Sequence, residues 1–169
     1  MKTCSFFGHR NTQETPELCN RLRTTILHLI NEKNVEWFLF GSKSAFDDLC
    51  LKTVTELQET YPTIKRMYVR SQNPYIPKTY QKYLLELYDD TIFPSRVKNA
   101  GRASYVERNQ AMIEASDFCV FYYNAEYKPP LRKHRQKALS TYQPASGTKL
   151  AYEYALQKKK EIINLYPNA

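Results

Sequence analysis

The chain has 169 residues, 42% of them hydrophobic and 25% charged, with a net charge of +8; this balance predicts one compact soluble domain and excludes collagen, coiled coil and disorder. A fold of this size buries about 70% of the surface its unfolded form exposes, so its core needs neither disulfides nor a structural metal. The positive charge favours an anionic partner, and no apolar run approaches the roughly 18–20 residues of a membrane span.

In chain order, residues 3–7 read as a first strand that stops at Gly8-His9-Arg10, a break unlike a signal peptide, so a cytoplasmic protein is expected. Thr15 as N-cap and Pro16 at the first helical position open a helix with Leu18, Leu22, Ile26 and Leu29 on one face, ending near Asn31. Residues 35–40 form a second strand. A second helix runs from about Ser44 to Glu59, with Phe46, Cys50, Val54 and Leu57 inward and Pro62 beyond. After a third strand at residues 64–69, Tyr80, Tyr83, Leu84, Leu87 and Tyr88 form a helical stripe read as core, with a base-stacking platform as the alternative. Thr91-Ile92-Phe93 is a candidate short strand before Pro94.

A fourth helix is predicted to start at a capping box, Ser104 with Glu107, and to run to Ser116. Residues 118–123 form a strand, with Asp117 opening it on the far rim in a structural role. The 124–145 segment, containing Pro129-Pro130 and Pro144, reads as a basic surface loop. A last helix opens at Ser146-Gly147-Thr148, turns Leu150, Ala151, Tyr154 and Ala155 inward, and ends at Lys158-Lys159-Lys160, ahead of a strand at residues 161–165. Alternating strands and helices predict βαβ units. The expected fold is α/β, a Rossmann-like three-layer sandwich with a mostly parallel sheet of about five strands, spanning residues 1–169 as one domain.

Cys4, Cys19, Cys50 and Cys119 are far apart, form no CxxC and sit in apolar patterns, so they read as reduced core thiols; no metal site and no cofactor are predicted. The chain holds only four glycines. Gly8 and Gly41 follow the first two strands and Gly147 starts the last helix, which puts all three on the rim where parallel sheets bind ligands against helix amino termini. Around them stand His9, Arg10, Ser42, Lys43, Ser44, Ser146 and Thr148, with Arg108 and Asn109 on the fourth helix. Hydroxyl, amide and guanidinium groups suit phosphate and ribose, so a nucleotide-like ligand is expected. Neither G-x-G-x-x-G nor G-x-x-x-x-G-K-[ST] occurs, which argues against a dinucleotide dehydrogenase or a P-loop NTPase. His9 reads as an acid-base group or an oriented hydrogen-bond donor, whereas His28 and His134 read as structural or solvated.

Five blocks, Cys4-Ser5-Phe6-Phe7-Gly8-His9-Arg10, Gly41-Ser42-Lys43-Ser44-Ala45-Phe46-Asp47, the stretch from Tyr105 through Arg108-Asn109 to Asp117, Ser146-Gly147-Thr148 with Ala151-Tyr152, and Lys160-Glu161-Ile162-Ile163-Asn164-Leu165, resemble the YpsA-type proteins of the SLOG superfamily. That superfamily includes the DNA-processing protein DprA and the Lonely-guy phosphoribohydrolases. The resemblance implies a Rossmann-like nucleotide-binding domain with Gly8, Arg10, Gly41, Ser42, Asp47, Arg108, Asn109, Gly147 and Thr148 around the site. The chain departs from the pattern at Lys43 or Ser44, where a glycine is usual, and at Ser146, which replaces the first glycine of Gly-Gly-Thr.

The Lonely-guy enzymes resemble PGGxGTxxE, and here Ala151 stands at the glutamate position. Glu153 is no substitute, because two residues mean about 200° around a helix. The expected function is therefore sensor-type binding of a nucleotide or nucleotide-derived phosphorylated ligand. A hydrolase acting on the same ligand is the alternative, together with DprA-like single-stranded nucleic-acid binding through Lys128, Arg132, Lys133, Arg135 and Lys137. Self-association into a homo-oligomer stays open.

Overall fold

Strands and helices alternate along the chain: β1 (Lys2–Gly8), α1 (Pro16–Asn31), β2 (Val35–Phe40), α2 (Ala45–Gln58), β3 (Lys65–Val69), α3 (Lys78–Leu87), β4 (Asp90–Ile92), α4 (Arg102–Ala115), β5 (Phe118–Tyr122), α5 (Gly147–Gln157) and β6 (Glu161–Asn164). The structure is a computed structural model that describes residues 1–98, 101–128 and 146–167. Its sheet has the order β4-β3-β2-β1-β5-β6, and every pairing is parallel. The expected α/β Rossmann-like fold is therefore present, and among the described residues the sheet has six strands, all parallel. The candidate short strand at residues 91–93 is present as β4, one residue earlier, with Asp90, Thr91 and Ile92 paired to Met67, Tyr68 and Val69.

Side chains alternate across the strands and fill two separate cores. On one face Cys4, Phe6, Phe38, Phe40, Phe118 and Val120 meet the apolar stripes of α1 and α2 and Leu84 of α3. On the other, Phe7, Leu39, Met67, Cys119 and Phe121 meet Met112 and Ile113 of α4 and Ala151 and Ala155 of α5. Strands covered on both faces need apolar residues nearly throughout, which is why these runs lack a polar alternation. The four cysteines are free thiols, and burial raises the pKa of Cys4 and Cys50 well above the ordinary value.

The helix starts divide. Thr15 caps α1 by accepting from the Leu18 N–H, Ser44 caps α2 by accepting from Asp47, and Ser146 caps α5 by accepting from Lys149. The Ser104–Glu107 capping box is not formed. α4 begins three residues earlier, after Gly101 at φ 75, a backbone angle that suits glycine. Ser104 instead donates to the Gly101 carbonyl, and Glu107 accepts from the Lys98 N–H.

The aromatic stripe of α3 is also only partly core. Leu84 and Tyr88 are buried, but Tyr83 is 50% and Leu87 40% exposed, because α3 lies over a three-residue edge strand too small to cover it. Leu150 likewise faces outward at 38% exposure. At the far rim Asp117 accepts the Thr3 N–H, as expected of a structural residue. No helix among the described residues is long and apolar enough to cross a membrane.

Candidate functional site

The chain runs outward from β1 to β4 and then returns to place β5 on the other side of β1. That reversal opens a crevice at the carboxyl ends of the strands, the usual ligand position in open parallel sheets. The cavity has a volume of about 1040 Å³. Gly8, His9, Arg10, Gly41, Ser42, Arg108, Asn109, Ser146, Gly147 and Thr148, separated by up to 140 positions in sequence, all line it. Asp47 does not. Lys128 is exposed and outside the lining, and Arg132, Lys133, His134, Arg135 and Lys137 lie outside the described residues.

Asp47 lies beneath the turn after β2, 2% exposed. Its Oδ2 accepts the Ser42 N–H at 2.9 Å and the Gly41 N–H at 3.4 Å, while Oδ1 is buried without a hydrogen-bond partner among the described residues. Burial pushes its pKa up to about 7, against the opposing pull of the Ser42 hydroxyl, of Arg108 and of the two amides. Its position makes it a support for the Gly41-Ser42 turn.

Arg108 is 4% exposed and reaches across from α4. Its Nη1 donates to the Gly41 carbonyl, and Nε and Nη2 share the Asn109 Oδ1 at 3.3 and 3.2 Å. Burial lowers its pKa, and the nearby Asp47 charge counteracts that effect.

The glycines prove to have different reasons. A Cβ on Gly8 would lie 2.4 Å from the Phe46 side chain, and one on Gly41 would lie 2.6 Å from Met112 Sδ and 2.8 Å from Arg108 Nε. Both positions are set by close packing beneath the rim. Among the described residues, a Cβ on Gly147 would meet nothing within 4 Å at the start of α5.

His9 is 3% exposed. The Asn124 backbone N–H donates to its Nε2 at 2.9 Å, and Tyr127 stacks on the ring at 4.0 Å between centroids. Since Nε2 is the acceptor, the neutral ring carries its proton on Nδ1, a buried atom with no hydrogen-bond partner among the described residues. Burial lowers the pKa, which favours this neutral form. His9 is thus built as a donor, and its one lone pair is engaged.

Sequence reasoning missed the loop after β3. Arg70, Ser71, Gln72 and Asn73 line the crevice, with Tyr68, Tyr80, Tyr105 and Tyr127. The loop carries no glycine or motif, and the only signal was its place after a third parallel strand, on the same rim as Gly8 and Gly41. It is held by Arg70 Nη1, which donates to the Asn73 carbonyl, and by Asn73 at φ 59, a left-handed conformation that Asn tolerates. Arg70 Nε is buried without a partner among the described residues. Among the described lining residues there are four cationic side chains, Arg10, Lys43, Arg70 and Arg108, and no carboxylate.

A model of the YpsA family, described as the YspA SLOG family, matches residues 5–168. A solved structure of DNA processing protein A from Helicobacter pylori, reported for its unique single-stranded DNA binding mode, is similar with a TM-score of 0.55 and 15% identity. The match covers 95% of this chain and 63% of that one, so the chain spans less than two thirds of that relative, and the likeness is one of fold. No curated protein matches the sequence.

Proposed function

The chain belongs to the YpsA SLOG family, and from that premise we propose that its crevice binds a phosphorylated nucleotide or nucleotide derivative. The observation that carries this reading is the lining: among its described residues, four cations without a carboxylate, beside four tyrosines. Guanidinium groups suit phosphate oxygens, and aromatic rings suit a heterocycle. The amino-terminal turns of α2 and α5 add backbone N–H groups and positive dipole ends to the same rim.

Binding without turnover fits this lining better than glycosidic hydrolysis does. Ala151 is 3% exposed within α5, and Glu153 is exposed and 4.0 Å from Lys149, so neither supplies a carboxylate to the crevice.

A single-stranded nucleic acid presents the same chemistry in polymer form. The fold likeness to a single-stranded DNA-binding protein and the +8 net charge support that second reading. A thermal-shift screen of nucleotides and short single strands, with each compound re-examined by mass spectrometry, separates the readings. A ligand at 100 times its Kd adds about 2.7 kcal/mol of stability. Stabilisation by an intact mononucleotide is the expected result; cleaved product would establish a hydrolase, and a shift seen only with oligonucleotides, weakening as salt rises, would favour the polymer. No shift with any anionic compound would overturn the proposal.

A further inference from the structure

The tyrosines of the crevice are not equivalent. Tyr127 is stacked on His9, Tyr68 on Tyr88 and Tyr80 on Tyr83, so each of these rings already has an aromatic partner. Tyr105, in the first turn of α4, has none among the described residues, and it is 44% exposed at the crevice. It is nevertheless held at two points. Gln72 Nε2 donates to its hydroxyl at 3.2 Å, which ties it to the β3–α3 loop, and the Arg108 guanidinium carbon lies over the ring, 5.4 Å from its centroid.

One face of the ring is thus filled by a buried cation, and the edge is tethered, while the other face has no ring against it. An aromatic ring fixed in advance loses little conformational freedom when a second ring stacks on it. From this arrangement we infer that Tyr105 is the stacking platform for the heterocyclic base of the ligand, an inference that rests on the anion-binding crevice proposed above. Stacking on an aromatic face tolerates any base, so Tyr105 supplies affinity for a base without selecting among the four.

The test compares ribose 5-phosphate with the four nucleoside 5′-monophosphates by calorimetry on the full chain. Loss of one stacked base corresponds to about 5- to 150-fold in affinity. The wild type should prefer every monophosphate over ribose 5-phosphate by about tenfold or more. Tyr105→Phe should keep that preference, and Tyr105→Ala should abolish it, so that ribose 5-phosphate and the monophosphates bind that variant with equal affinity. A parallel comparison of a thymidine oligonucleotide with an abasic strand of equal length identifies the source of the base. A Tyr105-dependent preference in either pair supports the platform, and its location shows whether monomer or polymer is the ligand. If ribose 5-phosphate binds but bases add nothing, or if Tyr105→Ala retains the preference, the platform is overturned and the anion crevice stands. If neither phosphate compound nor either strand binds, both readings fall.

Discussion

Asp47 and Arg108 both hold the Gly41-Ser42 turn: the carboxylate accepts its N–H groups and the guanidinium donates to the Gly41 carbonyl. With Asp47 raised to about 7 from an ordinary 3.8, the folded chain holds a proton there that the unfolded chain has released. This group's contribution to stability is therefore full below about pH 4 and is lost as pH rises through about 7. Asp47→Asn removes the titration but keeps an acceptor for the Ser42 N–H. The difference in stability between Asp47→Asn and wild type should move in the variant's favour between pH 4 and 8, by on the order of a few kcal/mol. Denaturant melts across that range check it, and a constant difference would show that Asp47 ionises normally.

The three rim glycines should answer differently to a methyl group. Gly8→Ala drives its Cβ into the buried Phe46 close to the helix backbone, so a loss of about 1–3 kcal/mol or more is expected. Gly41→Ala meets the flexible ends of Met112 and Arg108 and should instead displace the Arg108 guanidinium, weakening ligand affinity more than stability. Gly147→Ala meets no described atom within 4 Å and sits at the first position of α5, so it should be stabilising by about 0.4–1 kcal/mol. Gly147→Val should fold and bind nucleotides at least about tenfold more weakly, since its bulk projects where the glycine leaves the crevice open. Melting curves paired with calorimetry separate these outcomes.

Asp89 secures the sheet edge. Its carboxylate accepts from the Arg66 N–H, from Arg66 Nε and Nη2, and from Gln58 Nε2, over distances of 2.8 to 3.3 Å. Although burial opposes ionisation, the Arg66 and Gln58 donors prevail and hold its pKa below the ordinary 3.8. This stability is present above about pH 4 and disappears as pH falls below it. Asp89→Ala should cost about 1–3 kcal/mol at pH 7, and wild type and variant should converge in acid. Hydrogen exchange should show the loss first in β4, which pairs only with β3.

What was legible in the sequence was what depends on local chemistry. Thr15-Pro16, Ser44 and Ser146 mark helix starts because their side chains close hydrogen bonds three residues on, and the apolar strands declare a sheet covered on both faces. The rim was legible because Gly8, Gly41 and Gly147 follow from strand ends and a helix start. What was hidden depends on tertiary placement. Ser104 has the residue types of a cap, but Gly101 reaches the left-handed backbone first and starts α4 earlier. The α3 stripe has helical spacing, yet whether it is covered is decided by the length of β4. The loop from Arg70 to Asn73 joins the crevice because of sheet order, and Asp47 leaves it because α2 turns that carboxylate beneath the loop.

His9 provides the last discriminating measurement. A general base needs a free lone pair, and the Asn124 N–H occupies the one on Nε2, leaving Nδ1–H as a buried donor without a partner among the described residues. Burial also holds the ring below its ordinary pKa of 6.5, so the folded chain keeps His9 neutral where the unfolded chain has begun to protonate. The stability this supplies is full above about pH 6.5 and is lost as pH falls through the folded value. Nitrogen-15 NMR of the His9 ring should therefore find the proton on Nδ1 at pH 6.5 and no titration until lower pH. Nucleotide addition should shift the Nδ1 resonance without charging the ring, because an acceptor on the ligand satisfies the orphan donor. Buried donors left unpaired cost about 1–3 kcal/mol, so His9→Ala should weaken binding by about tenfold while leaving its pH profile between 7 and 8 unchanged. A proton found on Nε2, or a charged ring at neutral pH, would return His9 to the role of acid or base and reopen the hydrolytic reading.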